Sequence, residues 1–175
     1  MNTIDILLKR YSCRNYDGRQ ISESDLTKIL QAGMSAPVAR GMYENLHITV
    51  VQNEKLIKEI FDVTEEEMFK VSNVQRNMNF GAKTFIIVSS LPSLYATGME
   101  YVNAGCIVEN MIVAATSLNI DTVMMAAPTR SIVDKKELLA KLGIPNGYVP
   151  LLSSFFGYAK EKELPKEHSI SINRV

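Results

Sequence analysis

Lys9-Arg10-Tyr11-Ser12-Cys13-Arg14-Asn15-Tyr16 sets three cations and a hydroxyl within six positions, beside the point where a helix is due to end. Ile4, Leu7 and Leu8 fall at i, i+3 and i+4, which predicts a helix from Thr3 to Arg10 with one apolar edge. Two guanidinium forks, Arg10 and Arg14, with Ser12 between them, can bind phosphate oxygens through charge-assisted hydrogen bonds, a geometry that lysine alone does not provide. A basic helix end also simply complements the helix dipole. On these residues alone, an anion clamp and a dipole partner stay open as alternatives.

Outward from this segment the apolar pattern changes period several times. Asp17-Gly18-Arg19 reads as a turn, and Ser22 with Asp25 three positions on starts a helix that carries Leu26, Ile29 and Leu30 on one face and ends by Pro37. Leu46–Val51 and Thr84–Val88 are short runs rich in branched residues, as in strands buried on both faces. Between them Asn53 caps a helix through Ile57, Ile60 and Phe61, followed by a charged, solvated helical stretch over Glu65–Lys70. From about Glu100, Ala104, Val108, Met111, Ile112 and Ala115 recur at helical spacing and predict a central buried helix. A strand at Thr122–Met125, a helix over Asp134–Leu142 stopped by Gly143, and a strand at Val149–Phe156 complete an α+β order. The tail from Lys160 to Val175 is too polar to form core and either frays or wraps another surface, such as that of a second subunit.

The 175 residues contain no repeat, low-complexity run or linker, so the chain reads as one domain, 1–175. A hydrophobic share of 46% with 22% charged residues is an ordinary globular balance. Lys plus Arg and Asp plus Glu number 19 each, so no net field draws the molecule onto a polyanion, which argues against nucleic acid as a partner. No window approaches the roughly 20 apolar residues of a membrane helix, and Asp5 interrupts the N-terminal stretch. A cytoplasmic protein without a membrane partner is expected. Cys13 and Cys106 lack the spacing of a metal site and read as reduced core residues, and no metal ligand set is found. His47, inside a predicted strand, reads as structural. A Gly-x-Gly-x-x-Gly run opening a helix is absent, which disfavours a Rossmann nicotinamide domain.

The Lys9–Tyr16 segment resembles the N-terminal signature of the nitroreductase family, where Arg, Ser, Arg and a following aromatic residue recur at this spacing. The resemblance implies that Arg10, Ser12 and Arg14 bind the phosphate and ribityl portions of FMN, with Tyr11 beside them, while Tyr16 packs. Ser35-Ala36-Pro37-Val38-Ala39-Arg40-Gly41 is similar to the family's loop of Ala-Pro-Ser followed by Asn and Gln, which meets the flavin across a dimer interface. By that likeness Pro37, Val38, Ala39 and Gly41 are cofactor contacts. Val38 stands where a Ser is common, Gly41 where an Asn is common and Tyr43 where a Gln is common, which leaves the backbone to make those contacts.

Tyr101-Val102-Asn103-Ala104-Gly105 through Glu109-Asn110-Met111 and Leu118-Asn119-Ile120 resembles the family's long central helix, which builds the dimer core; a monomer's buried helix would use the same residue types. Met125-Ala126-Ala127-Pro128 occupies the place where the family sets backbone N–H groups near flavin N5 and O4, so Ala126 and Ala127 join the implied site. Leu151–Gly157 followed by Tyr158-Ala159-Lys160 resembles the last core strand and its Gly-Tyr exit. Leu164-Pro165-Lys166-Glu167-His168 is similar to an element that returns a Lys and an Arg to the FMN phosphate. Lys166 fits and His168 replaces the Arg, with a charge that imidazole holds in full only in acid; a solvated tail is the alternative.

The resemblance runs from Ile4 to about His168. It implies a nitroreductase-like fold, with a central mixed, mainly antiparallel sheet flanked by helices in an intertwined homodimer. It further implies an FMN-dependent oxidoreductase that takes hydride from NADH or NADPH at flavin N5 and passes it, in ping-pong fashion, to a small oxidised acceptor such as a nitroaromatic or a quinone. No catalytic side chain is assigned, because the flavin carries the chemistry and the protein supplies anchoring, polarisation and a shaped cavity. A reductase of enones or free flavin, and a flavin-binding or sensing protein without fast turnover, are the alternatives, and Glu65–Arg76 is a candidate lid.

Overall fold

Every residue of Thr84–Ser90 (β2) is buried, and alternate side chains leave the strand in opposite directions. Phe85 and Ile87 enter one apolar cluster, Ile86 and Val88 another, so β2 lies between two layers. The structure, a computed structural model, describes residues 2–175. Four strands form the sheet in the order β1-β2-β4-β3, with β1 at Leu46–Val51, β3 at Asp121–Met125 and β4 at Val149–Gly157. All three pairings are antiparallel, and the parallel component is a single bridge from Ser12 to Thr122 of β3. The α+β reading holds, with strand ends shifted by one or two residues.

Two helices cover one face. α2 (Glu23–Met34) contributes Leu26 and Ile29, and α4 (Met99–Ser117) contributes Ala104, Ile107, Val108, Met111, Ile112 and Ala115. The opposite face takes α3 (Glu54–Ser72), α5 (Ala127–Ile132) and α6 (Lys136–Lys141) through Ile57, Ile60, Phe61, Ile132 and Leu138. α1 (Thr3–Lys9) rests against α4.

The local signals explain the boundaries. Ser22 Oγ accepts from Asp25 N at 3.1 Å, and Asn53 Oδ1 accepts from Lys55 N and Leu56 N at 3.0 and 3.2 Å, so both expected caps form. α1 opens on a reciprocal Asn2–Asp5 capping box that the apolar pattern did not reveal. α4 stops because Asn119 turns left-handed (φ 59) and Ile120 N donates back to Ala115 O at 2.9 Å.

Two helices are bounded differently from the sequence reading. The helix placed over Asp134–Leu142 is the shorter α6, and α5 precedes it. Pro128 stands in the first turn of α5, where a proline starts a helix because the missing N–H has no partner there anyway. The stretch Glu65–Lys70 continues α3 as one 19-residue helix. The apolar edge of α1 does not enter the chain's own core: Ile4, Leu7 and Leu8 remain 62%, 43% and 69% exposed.

α2 and α4 meet closely at Gly33, where a Cβ would sit 2.7 Å from Met111 Cγ, and Asn110 Nδ2 donates to Ala32 O at 3.1 Å beside it. This contact fixes where the loop after α2 departs.

Candidate functional site

Arg10 is the residue after the last turn of α1, and its backbone is extended (φ −62, ψ 132). In extended chain, side chains two apart share a side, so Arg10, Ser12 and Arg14 project together while Cys13 turns inward and is buried. Backbone bonds hold the segment to the sheet. Cys13 N donates to Thr122 O at 2.9 Å, Tyr16 N to Phe80 O at 3.1 Å, and Asp17 N to Tyr158 O at 2.8 Å. Lys160 N donates to Asn15 O at 3.0 Å, and Tyr16 bridges Ala159, so the exit of β4 runs alongside the same segment.

The result is a cavity of about 870 Å³, lined on one side by Arg10, Tyr11, Ser12 and Arg14 and on the other by the tail, including Lys166 and His168. That size lies within the roughly 300–1,000 Å³ of small-molecule sites. Arg10, Ser12 and Arg14 meet the two predicted tail residues here, although they lie at opposite ends of the chain. Among the described residues Arg10, Arg14 and Lys166 form no ion pair, so their charge is available to a ligand. Lys9 is the exception to the expected trio of cations: its Nζ donates to Asn119 Oδ1 at 3.1 Å and it does not line this cavity.

The other predicted residues lie elsewhere in the single chain. Ala39 lines a second cavity together with Arg40, Tyr95 and Asn103, and none of Pro37, Val38, Ala39 or Gly41 reaches the clamp. The loop is fastened by contacts that the sequence reading did not assign. Ala39 N donates to Asn103 Oδ1 at 3.0 Å, the Tyr43 hydroxyl donates to Ala36 O at 2.9 Å, and the Arg40 guanidinium lies 4.1 Å over the Tyr95 ring. Tyr43 thus closes its own loop instead of presenting a donor outward.

Ala126 and Ala127 form the turn between β3 and α5, next along the chain from the strand that carries the clamp. Ser153 Oγ donates to Met125 O at 2.6 Å, and Thr129 Oγ1 lies 2.9 Å from Ala126 O and 3.0 Å from Leu151 O, which fixes the turn on both sides. No side chain caps the start of α5.

Burial pushes the Cys13 thiol up, so it stays protonated and inert. Burial, with the nearby Asp121 carboxylate second, raises Tyr11 in the same way, and its hydroxyl has no hydrogen-bond partner among the described residues. Both cysteines are unpaired, and no group of three metal-type ligands occurs among the described residues. His47 packs edge-on to Tyr148 at 6.0 Å, in keeping with a structural role. No helix of the described residues is long and apolar enough to cross a membrane.

A sequence model of the Nitroreductase family matches residues 7–158. A protein of Archaeoglobus fulgidus that carries the provisional name NADH dehydrogenase/NAD(P)H nitroreductase is 31% identical over 162 residues, spanning 91% of this chain and 87% of the relative. Among solved structures, a nitroreductase with bound FMN from Desulfitobacterium hafniense DCB-2 superposes with a TM-score of 0.86 at 25% identity, covering 99% of this chain and 100% of that one. A nitroreductase with bound FMN from Bacteroides fragilis NCTC 9343 gives a TM-score of 0.85 at 28% identity, covering 100% and 99%.

Proposed function

Because the chain belongs to the nitroreductase family, we propose that it is an NAD(P)H-linked oxidoreductase that holds FMN at the Arg10–Ser12–Arg14 clamp and reduces small oxidised acceptors such as nitroaromatics or quinones. The observation that carries this reading is the gathering of Arg10, Ser12, Arg14, Lys166 and His168 around one cavity. The donors suit a phosphate dianion, with two planar forks, an ammonium, a hydroxyl and an imidazole; Glu163 and Glu167 line the same cavity, but the arginines and the lysine are not engaged in ion pairs with them. When bound, the flavin supplies hydride acceptance at N5 from NADH or NADPH and hydride delivery to the acceptor.

The chain's own residues bind and orient. The clamp holds the phosphate end, and the turn at Ala126 and Ala127, small enough for a flat ring to approach, offers backbone N–H groups to the ring edge. The loop at Pro37, Val38, Ala39 and Gly41 contributes backbone from a second copy, since within one chain it does not reach the clamp. A homodimer also explains the exposed apolar residues of α1 and the start of α4, among them Leu8, Tyr101 and Val102. A cytoplasmic setting keeps the two unpaired cysteines reduced.

Sedimentation is expected to give a dimer at micromolar concentration. A folded, flavin-loaded monomer in dilute solution would remove the interface from this reading. The activity is tested by initial rates with NADH or NADPH and a nitroaromatic. With nicotinamide and acceptor visiting one cavity in turn, double-reciprocal plots at several acceptor concentrations are expected to be parallel, and nicotinamide alone to bleach the flavin anaerobically. Intersecting lines would establish a ternary complex instead. A protein that holds flavin yet turns over negligibly would be a binding or sensing module, a reading favoured by the Tyr43 hydroxyl turning onto its own loop.

A further inference from the structure

We infer that Asp121 and Lys162 form a latch, a pair of positioning residues that seats the tail segment 163–168 opposite the clamp and so sets the affinity for FMN. The inference rests on reading the clamp cavity as the FMN phosphate site.

Asp121 opens β3 with its side chain only 6% exposed. A carboxylate so placed is costly unless donors surround it. It has two: Ala159 N donates to Oδ2 at 2.9 Å, and Lys162 Nζ donates to Oδ1 and Oδ2 at 2.7 and 2.6 Å. Both belong to the chain leaving β4. The first bond is backbone and survives most substitutions, whereas the second reaches past the last backbone anchor of the tail, Lys160 N to Asn15 O.

Beyond Lys160 the tail lies exposed, and the pair with Asp121 is its one salt bridge among the described residues. Lys166 and His168, which line the cavity, hang from that point. Tethered at Lys160, the Lys166 backbone has six residues of slack, a reach of about 20 Å. The bond at Lys162 Nζ adds a second fixed point four residues before Lys166 and so narrows where within that reach its backbone lies. The latch therefore pre-organises the tail over the clamp, and pre-organisation strengthens binding by lowering the ordering cost at the moment the ligand arrives.

Lys162 is itself 58% exposed and lies outside the cavity lining, so its charge acts on the ligand through the tail. The test compares wild type, Lys162→Arg, Lys162→Gln and the neutral double variant Asp121→Asn with Lys162→Gln. The double variant removes both charges, keeps an acceptor for Ala159 N and leaves no orphaned carboxylate.

Two readouts are needed, FMN titration of apoprotein by flavin fluorescence and tryptic cleavage after Lys166 followed by mass spectrometry. Lys162→Gln and the double variant are expected to bind FMN about fivefold more weakly and to be cleaved several-fold faster, with Lys162→Arg restoring both properties. The double variant's apoprotein is expected to melt near wild type, and Lys162→Gln alone to melt lower because it leaves the Asp121 carboxylate without its charged donor. Equal affinity and equal cleavage across the set would overturn the latch, as would a loss that Lys162→Arg fails to restore. If wild type binds no FMN, the proposed function fails. The cleavage rates then still decide the latch on their own.

Discussion

Replacing Arg10 and Arg14 together with alanine is expected to weaken FMN binding by about two orders of magnitude. On the proposed reading each guanidinium is a charge-assisted partner of the phosphate, and losing one such partner costs roughly 1.5–3 kcal/mol, at least tenfold in affinity. The two act on one ligand, so their effects add only approximately. Neither arginine forms an ion pair among the described residues, so the substitutions orphan no buried charge and the fold is expected to persist. Arg14→Lys should fall between wild type and Arg14→Ala, since an ammonium keeps the charge but not the fork. Fluorescence titration of folded apoprotein, with circular dichroism as the check on folding, measures this. Unchanged affinity in both single alanine variants would falsify the clamp.

The second large effect is on stability. Phe155 of β4 is fully buried and meets Phe85 at 4.8 Å, Phe61 in a stacked arrangement at 5.0 Å and Tyr16 at 6.0 Å between ring centroids. It therefore joins the sheet, α3 and the end of the clamp segment in one aromatic cluster. Truncation to alanine removes the ring and leaves a void, a change that costs about 3–5 kcal/mol. For a chain of this length that corresponds to a melting temperature lower by roughly 6–20 °C. Phe155→Leu, which fills most of the space, should lose less than half as much. A shift under about 2 °C for the alanine variant, measured by calorimetry, would show that the cluster contributes little beyond surface coverage.

The elements carried by strong periodicity were legible in advance. β1, β2 and α4 declare themselves through branched runs and helical spacing, and Ser22 and Asn53 announce their helices by local hydrogen-bonding chemistry. α5 was not legible, because its six residues are too few for a period and its proline reads as a breaker unless its place in the first turn is already known. The same division runs through the site. Arg10, Ser12 and Arg14 are local in sequence and stand out by residue type. Their meeting with Lys166 and His168 follows the family resemblance and has no local signature. Asp121 looked like an ordinary polar residue ahead of a strand, since only the three-dimensional course of the tail surrounds it with donors. Asn103 and Tyr43 fasten the Pro37–Gly41 loop through single bonds that no spacing rule anticipates.

The parallel bridge between Ser12 and Thr122 joins positions on the order of a hundred residues apart. Closing so long a loop has an entropic cost, so the clamp is expected to assemble after β3 has docked on β4. A ligand gripped there distinguishes finished molecules from those with a sheet but an undocked N-terminal segment. At a free concentration a hundred times its dissociation constant, such a ligand adds about 2.7 kcal/mol to the finished state alone. If the clamp holds FMN as proposed, binding there favours completely folded molecules, and flavin-loaded protein is expected to resist proteolysis better than apoprotein.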